Sequence, residues 1–298
     1  MKKGIWYAVG AYVVWGVFPI YWKLLHDVPA LELICHRIIW SSLMLGSVIL
    51  LSRQWRSFWS AVRKPQVFAA YSIAAMLIGI NWLTYIWAVN SGFIVESSLG
   101  YFINPIISVI LGVIFLRERL RRWQWFPVGL AVTGVLFLTW AYGSLPWIAL
   151  TLASTFAGYG LIKKISPLGS LYGLTLETAV LSMPALMYLV HIGSTSGGAF
   201  PNAGLRSGLL LTSTGLVTTV PLLLFASATR RIPLSLLGIL QYISPTLQFL
   251  CGVVIYAEPF THVQLVGFAI VWTGLIIFAV EGFVVRRAES APAVVNII

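Results

Sequence analysis

Charge is scarce in this 298-residue chain: only 9% of its residues are Asp, Glu, Lys or Arg and 59% are hydrophobic, whereas about a quarter of an ordinary soluble domain is charged. A water-soluble globule of this length has no interior large enough to hide that much apolar surface. Acidic residues are scarcer still, 8 against 19 Lys and Arg. That excess raises the question of nucleic acid, but the basic residues fall in short clusters between apolar runs rather than on one face. They read as topology signals beside anionic lipid, and no nucleic-acid partner is expected. Cysteine is limited to Cys35 and Cys251, each inside an apolar run, so neither a disulfide nor a metal site is expected. There is no HExxH, no Walker loop, no carboxylate pair on one short motif and no defensible Ser/His/Asp set, and His26, His36, His191 and His262 are widely dispersed. These absences speak against an enzyme and against a cofactor.

What fills the chain instead is a succession of apolar runs. A helix needs about 20 mostly apolar residues to cross the hydrocarbon core, and cutting at charge, proline and glycine clusters gives ten spans, at 4–22, 31–52, 67–89, 93–116, 123–142, 147–164, 170–191, 206–228, 233–256 and 262–284. The first follows Met1-Lys2-Lys3 but carries Trp6, Tyr7, Trp15, Pro19 and Trp22 and lacks a small-x-small cleavage site, so it reads as a retained helix rather than a signal peptide. The distribution of positive charge tests the count independently. With the N-terminus inside, 16 of the 19 Lys and Arg fall in inside segments, only Lys23 and Arg206 fall outside, and Arg37 lies within a span. Ten crossings with both termini cytoplasmic satisfy the rule; a wrong number would scramble it.

Sliding the sequence on itself by 140 residues brings its punctuation into register: Asn104-Pro105 with Ser244-Pro245, Gly112 with Gly252, Glu118 with Glu258, Gly134 with Gly274, and Lys23 with Lys163. The expected architecture is all-α integral membrane, ten transmembrane helices as two inverted five-helix repeats. The first repeat covers 1–143, the second 144–285, and 286–298 forms a cytoplasmic tail. Five spans per half turn the second half upside down, a recurrent build of secondary transporters. A duplicated structural bundle that conducts nothing is the blander alternative.

Several stretches also carry a family resemblance. They are His36-Arg37-Ile38-Ile39-Trp40-Ser41, Gly79-Ile80-Asn81-Trp82-Leu83, Ile86-Trp87-Ala88-Val89-Asn90, Ser98-Leu99-Gly100-Tyr101-Phe102-Ile103-Asn104-Pro105, Gly143-Ser144-Leu145-Pro146, Val217-Thr218-Thr219-Val220-Pro221 and Gln241-Tyr242-Ile243-Ser244-Pro245-Thr246-Leu247. With them the chain resembles the RarD branch of the EamA family, in the drug/metabolite transporter superfamily, over essentially its whole length. The resemblance implies that the two halves are EamA repeats, that the activity is transport, and a family name linked to chloramphenicol sensitivity. It supplies no firm substrate. In the family Glu118 and Glu258 usually follow a glycine, whereas here Arg117 and Ala257 precede them. Both glutamates sit where a span ends, and a structural role at the helix boundary is the favoured reading.

Polar groups inside a span are costly unless they face protein or water, so their spacing marks the lipid-averted faces. In the fourth span Glu96, Gly100, Asn104 and Ser108 recur every fourth residue, with Ser97 and Tyr101 beside them; in the ninth, Gln241, Ser244 and Gln248 lie at helical spacing with Tyr242 adjacent. The third span adds Asn81, Trp82, Thr84 and Tyr85, and the first Tyr12, Trp15, Pro19 and Lys23. The candidate substrate-binding set is therefore Trp15, Asn81, Trp82, Tyr85, Tyr101, Asn104, Gln241, Tyr242 and Ser244. Pro105 and Pro245 interrupt the helix ladder near mid-span, with a packing kink and a gating role both open. Thr218-Thr219 before Pro221 reads as local backbone satisfaction. The remaining candidates are charges with coupling or structural roles: Arg37, Glu96, Glu177 and Lys163. Arg37 and Glu96 lie at similar depth from the outer face and are expected to form an ion pair. Glu177 has two readings, a proton-coupling carboxylate or a lysine-paired one. Ten glycines scattered through the spans, among them Gly16, Gly46, Gly129, Gly134, Gly252 and Gly267, are expected to allow close helix packing.

The expected function is a secondary transporter of the bacterial inner membrane, moving small metabolites or drugs, amino-acid-like or aromatic solutes and possible chloramphenicol relatives among them, by alternating access. Its partners are the small-molecule substrate and the lipid bilayer; no protein partner is expected. A channel, the remaining alternative, calls for a continuous ring of like polar groups, and the inverted repeat argues instead for a carrier.

Overall fold

The computed structural model describes residues 2–117, 125–142, 144–195, 198, 204–229, 231–232 and 240–289. Among them the regular structure is helical: α1 (Lys2–Gly16), α2 (Phe18–Lys23), α3 (Ala30–Leu51), α4 (Trp55–Val62), α5 (Pro65–Asn90), α6 (Ile94–Leu116), α7 (Trp125–Tyr142), α8 (Trp147–Ile165), α9 (Ser170–Thr195), α10 (Leu205–Thr229), α11 (Ile243–Leu250) and α12 (His262–Glu289). Six of these segments are long and apolar enough to cross a bilayer: Lys2–Lys23, Ala30–Leu51, Pro65–Asn90, Ile94–Leu116, Ser170–Thr195 and Leu205–Phe225. Shorter apolar helices lie at Trp125–Ala141, Ile243–Ile255 and His262–Gly274. The chain is a multi-pass membrane protein.

Six of the expected spans coincide with these long apolar helices, and the described residues of the other four are also largely helical, with local differences. The first span breaks at Val17, and Pro19 stands in the first turn of α2, where a missing N–H costs no hydrogen bond. The loop between the second and third spans holds a short amphipathic helix, α4, which buries Phe58 and Val62 and exposes Trp55 and Trp59. In the ninth span, Leu240 and Gln241 are helical, Tyr242 is a turn, and α11 begins at Ile243. Pro245 has no N–H to offer the carbonyl of Gln241, four residues back, and the helical run is interrupted at Tyr242 before α11, which has the proline in its first turn. Beyond α11 the chain runs in a π-helical turn, Cys251–Ile255. The α6 backbone is continuous through position 105, and the ring of Pro105 lies outside the described side chains. The C-terminal helix runs past residue 286 to Glu289, because Val-Val-Arg-Arg-Ala-Glu contains no residue that stops a helix.

Contacts divide the chain into two units, Met1–Leu111 with Trp147–Pro259, and Gly112–Pro146 with Phe260–Ile298. Each unit draws on both halves of the sequence. In the first, α3 packs against α9 and α10, α5 against α8 and α9, and α1 against α10 and α11. The core holds Phe18, Trp22, Leu33, Ile38, Ile78, Trp82, Tyr85 and Ile86. Large apolar residues such as Leu43, Leu50, Ile73, Met76 and Met183 point outward, as a lipid solvent allows. Close approach is supplied by small residues: a Cβ at Gly100 would stand 2.7 Å from the Ala149 carbonyl oxygen, and one at Gly215 2.6 Å from the Trp40 carbonyl carbon. In the second unit α7 and α12 are apposed in the same way, a Cβ at Gly134 falling 2.7 Å from Val271. Gly46 and Gly129, expected as packing points, have open space around them.

One carboxylate ties distant parts of the first unit together. Glu258 accepts the Ile94 N–H at Oε1 (2.9 Å) and the Val95 N–H at Oε2 (2.8 Å). The helix N-terminus carries free N–H groups and the positive end of the macrodipole, so a carboxylate there is stabilising. Burial raises the Glu258 carboxyl above the usual range, while the two N–H groups and Lys23 draw it down. The structural reading of Glu258 fits this geometry; Glu118 lies outside the described residues. Ala257, just before it, is left-handed with φ 49°, and so is Arg117 with φ 54°. These are the two positions where the resemblance implies glycine, the residue that adopts such a φ without a Cβ penalty.

The left-handed region costs an L-residue roughly 1–2 kcal/mol, and Ala257 is exposed, so no packing is lost on its removal. Ala257→Gly is therefore expected to stabilise the protein by about 0.5–1 kcal/mol, after allowing for glycine's freer unfolded chain. Thermal unfolding in detergent checks this, and an unchanged or lower midpoint would count against strain at this turn.

Candidate functional site

Arg37 sits in the buried interior of α3, 3% exposed. Its Nε donates to Thr218 Oγ1 of α10 at 2.9 Å. The guanidinium lies over the rings of Trp82 (4.1 Å), Trp22 (5.1 Å) and Phe18 (6.0 Å). Such cation–π contacts are each worth up to about 2 kcal/mol when desolvated. Tyr21, Tyr85 and Tyr101 are its electrostatic neighbours. Among the described residues, neither Nη1 of Arg37 nor the Tyr85 hydroxyl has a hydrogen-bond partner.

The expected Arg37–Glu96 ion pair does not form. Glu96 Oε1 instead accepts the Ile148 N–H in the first turn of α8, at 3.2 Å. Equal depth along two helices says nothing of which way their side chains face, and Glu96, only three residues into α6, reaches the open N-terminus of a neighbouring helix. Thr218 corrects a second expectation, since it serves the Arg37 guanidinium rather than only the backbone beside Pro221.

From Trp82 and Tyr85 a polar and aromatic chain continues through the unit. Asn81 Nδ2 donates to the Leu152 carbonyl (2.9 Å) and to Thr155 Oγ1 (3.0 Å), and Tyr101 donates to Asn81 Oδ1 at 3.2 Å. Tyr101 meets Tyr85 edge-on at 5.8 Å and Phe156 at 6.1 Å, and Phe156 meets Tyr159 at 6.0 Å. Tyr159 donates to Glu177 Oε2 (3.0 Å), and Lys163 Nζ pairs with Glu177 Oε1 at 2.7 Å. Glu177 is thus paired with Lys163. Phe156 and Tyr159 escaped the sequence reading, although Thr155, Tyr159 and Lys163 form a four-residue stripe on α8 that signals an inward face.

The other candidates gather separately. Trp15 packs against Tyr12 (5.7 Å) and Phe225 (5.6 Å). Gln248 Nε2 donates to the Trp15 carbonyl (3.1 Å) and to Ser244 Oγ (3.2 Å). Tyr242 stacks on Phe102 at 6.4 Å. Ser108 donates to Asn104 Oδ1 (3.1 Å), and Asn104 Nδ2 has no partner among the described residues. Gln241 is half-buried. Trp82, Tyr85 and Tyr101 thus gather around Arg37 and Asn81 joins them through Tyr101, whereas Trp15 and Ser244 join through Gln248.

The pairing of Lys163 with Glu177 makes a measurable prediction. Removing one member of a buried pair strands the other, at a cost of roughly 3–5 kcal/mol. The Lys163 side chain is 21% exposed, so Lys163→Met should cost about 2–3 kcal/mol, and adding Glu177→Gln should restore much of it. A double-mutant cycle on thermal unfolding checks this; additive losses would show that the contact carries no coupling. For Arg37→Gln with Glu96→Gln additivity is the expected result.

A model of the EamA-like transporter family matches residues 2–140. The chain is 43% identical to the uncharacterized transporter YojE of Bacillus subtilis, over 97% of this chain and 98% of that one. Protein RarD of Escherichia coli is also 43% identical, with the same coverage. The chloramphenicol-sensitive protein RarD of Pseudomonas aeruginosa is 31% identical over 92% of this chain and 93% of its own. A solved crystal structure aligns with a TM-score of 0.58 at 18% identity, covering 94% of this chain and 98% of that one, which speaks to the fold alone. With full-length relatives at this identity, the chain belongs to the RarD branch of the EamA family.

Proposed function

We propose that this protein is a secondary transporter that carries small amino-acid-like or aromatic solutes across the inner membrane by alternating access. The observation that carries the reading is the array of buried Arg37, Asn81, Trp82 and Tyr85 with half-buried Tyr101, among helices apolar enough to span a bilayer. A bundle that merely spans the membrane has no need of such groups, and intramembrane polar residues mark solute paths. Relatives named transporters add to it.

Ten spans as two inverted repeats, with both termini cytoplasmic, complete the proposal. The alternation of positive charge supports it. So does the left-handed backbone at Arg117 and at Ala257, which lie 140 residues apart at the same place in either half. Drugs related to chloramphenicol belong among the candidate solutes, given the name of the Pseudomonas relative.

Counterflow into proteoliposomes preloaded with mixed metabolites and challenged with labelled aromatic amino acids or chloramphenicol tests the proposal. Saturable, competable uptake is expected, with Asn104→Ala lowering it about tenfold or more, an estimate for losing a positioned polar contact. Ionic conductance without saturation would replace the carrier with a channel. Folded protein that moves none of these solutes would overturn the reading.

A further inference from the structure

Apart from Arg37, the intramembrane charges traced above share one pattern: the protein supplies the counter-group. Glu96 takes a helix N–H, and Glu177 takes Lys163 and Tyr159. Arg37 departs from it. A guanidinium offers five N–H donors in a planar fork, and here one of them reaches an oxygen, Thr218 Oγ1. Among the described residues Nη1 has no hydrogen-bond partner and no carboxylate pairs with the guanidinium, which lies over the faces of Phe18, Trp22 and Trp82 with Tyr21, Tyr85 and Tyr101 as further electrostatic neighbours. Aromatic faces soften the desolvation of a cation without neutralising it. The position 140 residues on is Glu177, so at the equivalent place in the second half the protein supplies both ion and counter-ion.

We infer that Arg37 is the anchor for a single carboxylate on the transported solute, with the Tyr85 hydroxyl as a second donor and the rings of Trp22, Trp82 and Tyr101 as the wall for an aromatic body. This rests on the transporter reading above. The charge of the site sets the class. One guanidinium with no second cation among its contacts matches a monocarboxylate, zwitterionic or not, and leaves a dianionic phosphate under-neutralised. The tyrosine hydroxyl is a free donor, so it favours an acceptor-only group. A charge-assisted pair at Nη1 would also link the solute to α5, through the ring of Trp82, and to α10, through Thr218.

Matched probes test this on wild-type protein in lipid nanodiscs: 3-phenylpropionate, L-phenylalanine and L-phenylalaninamide, followed by tryptophan fluorescence and thermal shift. The two acids are expected to bind saturably, and the amide, which lacks the carboxylate, at least tenfold more weakly. Arg37→Gln should erase the difference between acid and amide. Should that variant fail to fold, Arg37→Lys, which keeps the charge but not the fork, and Tyr85→Phe should each weaken the acids severalfold and leave the amide unchanged. Amide binding equal to acid binding, no saturable binding of either acid, or a preference for acid untouched in all three variants would each overturn the inference. Counterflow with the same probes separates the two claims. Flux without preference for a carboxylate sinks the anchor and leaves transport standing, whereas carboxylate binding without flux of any solute does the reverse.

Discussion

Water does not reach the hydrocarbon interior, so every polar group carried there must find its partner within the protein. In this chain that constraint organises the packing as much as the apolar residues do. Lipid is as apolar as leucine and gives helices little hydrophobic reason to associate. The contacts that distinguish one arrangement from another are therefore the polar ones and the close glycine approaches. Glu96 joins α6 to the start of α8, Asn81 joins α5 to the middle of α8, and Thr218 joins α10 to α3. Gly100 and Gly215 let the same neighbours approach closely.

The arrangement has a graded character. Glu177 is answered twice, by an ammonium and by a phenol, and is fixed in place. Asn81 uses both ends of its amide, binding α8 on one side and Tyr101 on the other. Arg37 is surrounded but not neutralised. Satisfied groups at Asn81 and Glu177 therefore stand in the same unit as a guanidinium Nη1 and a tyrosine hydroxyl, at Arg37 and Tyr85, that lack such partners among the described residues.

Much of this was legible in the sequence, and the limits of legibility have physical causes. Apolar length and the alternation of basic clusters depend on the bilayer rather than on tertiary detail, so helices α3, α5, α6, α9 and α10 fall close to their expected ranges. Periodic polar faces identified Asn81, Trp82, Tyr85 and Tyr101 as inward residues because a helix cannot hide such groups from lipid in any other way. What periodicity cannot supply is the direction of a side chain between helices. Arg37 and Glu96 share a depth and face different neighbours, and Glu96 meets a backbone N–H, which has no signature in the sequence. Tyr159 was missed because α8 carries its inward stripe on an ordinary-looking apolar segment. The position of the break at Tyr242 was hidden by the continuous apolar run around it, where Pro245 marks an interrupted ladder without fixing which residue leaves the helix.

The cap on α6 has a consequence for how the molecule is made. Its first turn, at Ile94 and Val95, is completed by a carboxylate that lies 164 residues further along the chain from Ile94. A ribosome delivers Ile94 long before it delivers Glu258, and spans enter the membrane in order of synthesis. Helix α6 can therefore insert early, but its end stays electrostatically unfinished until nearly the whole protein has emerged. Completion of that end reports that the second half has arrived and folded back against the first, a checkpoint on assembly written into a single hydrogen-bonded turn.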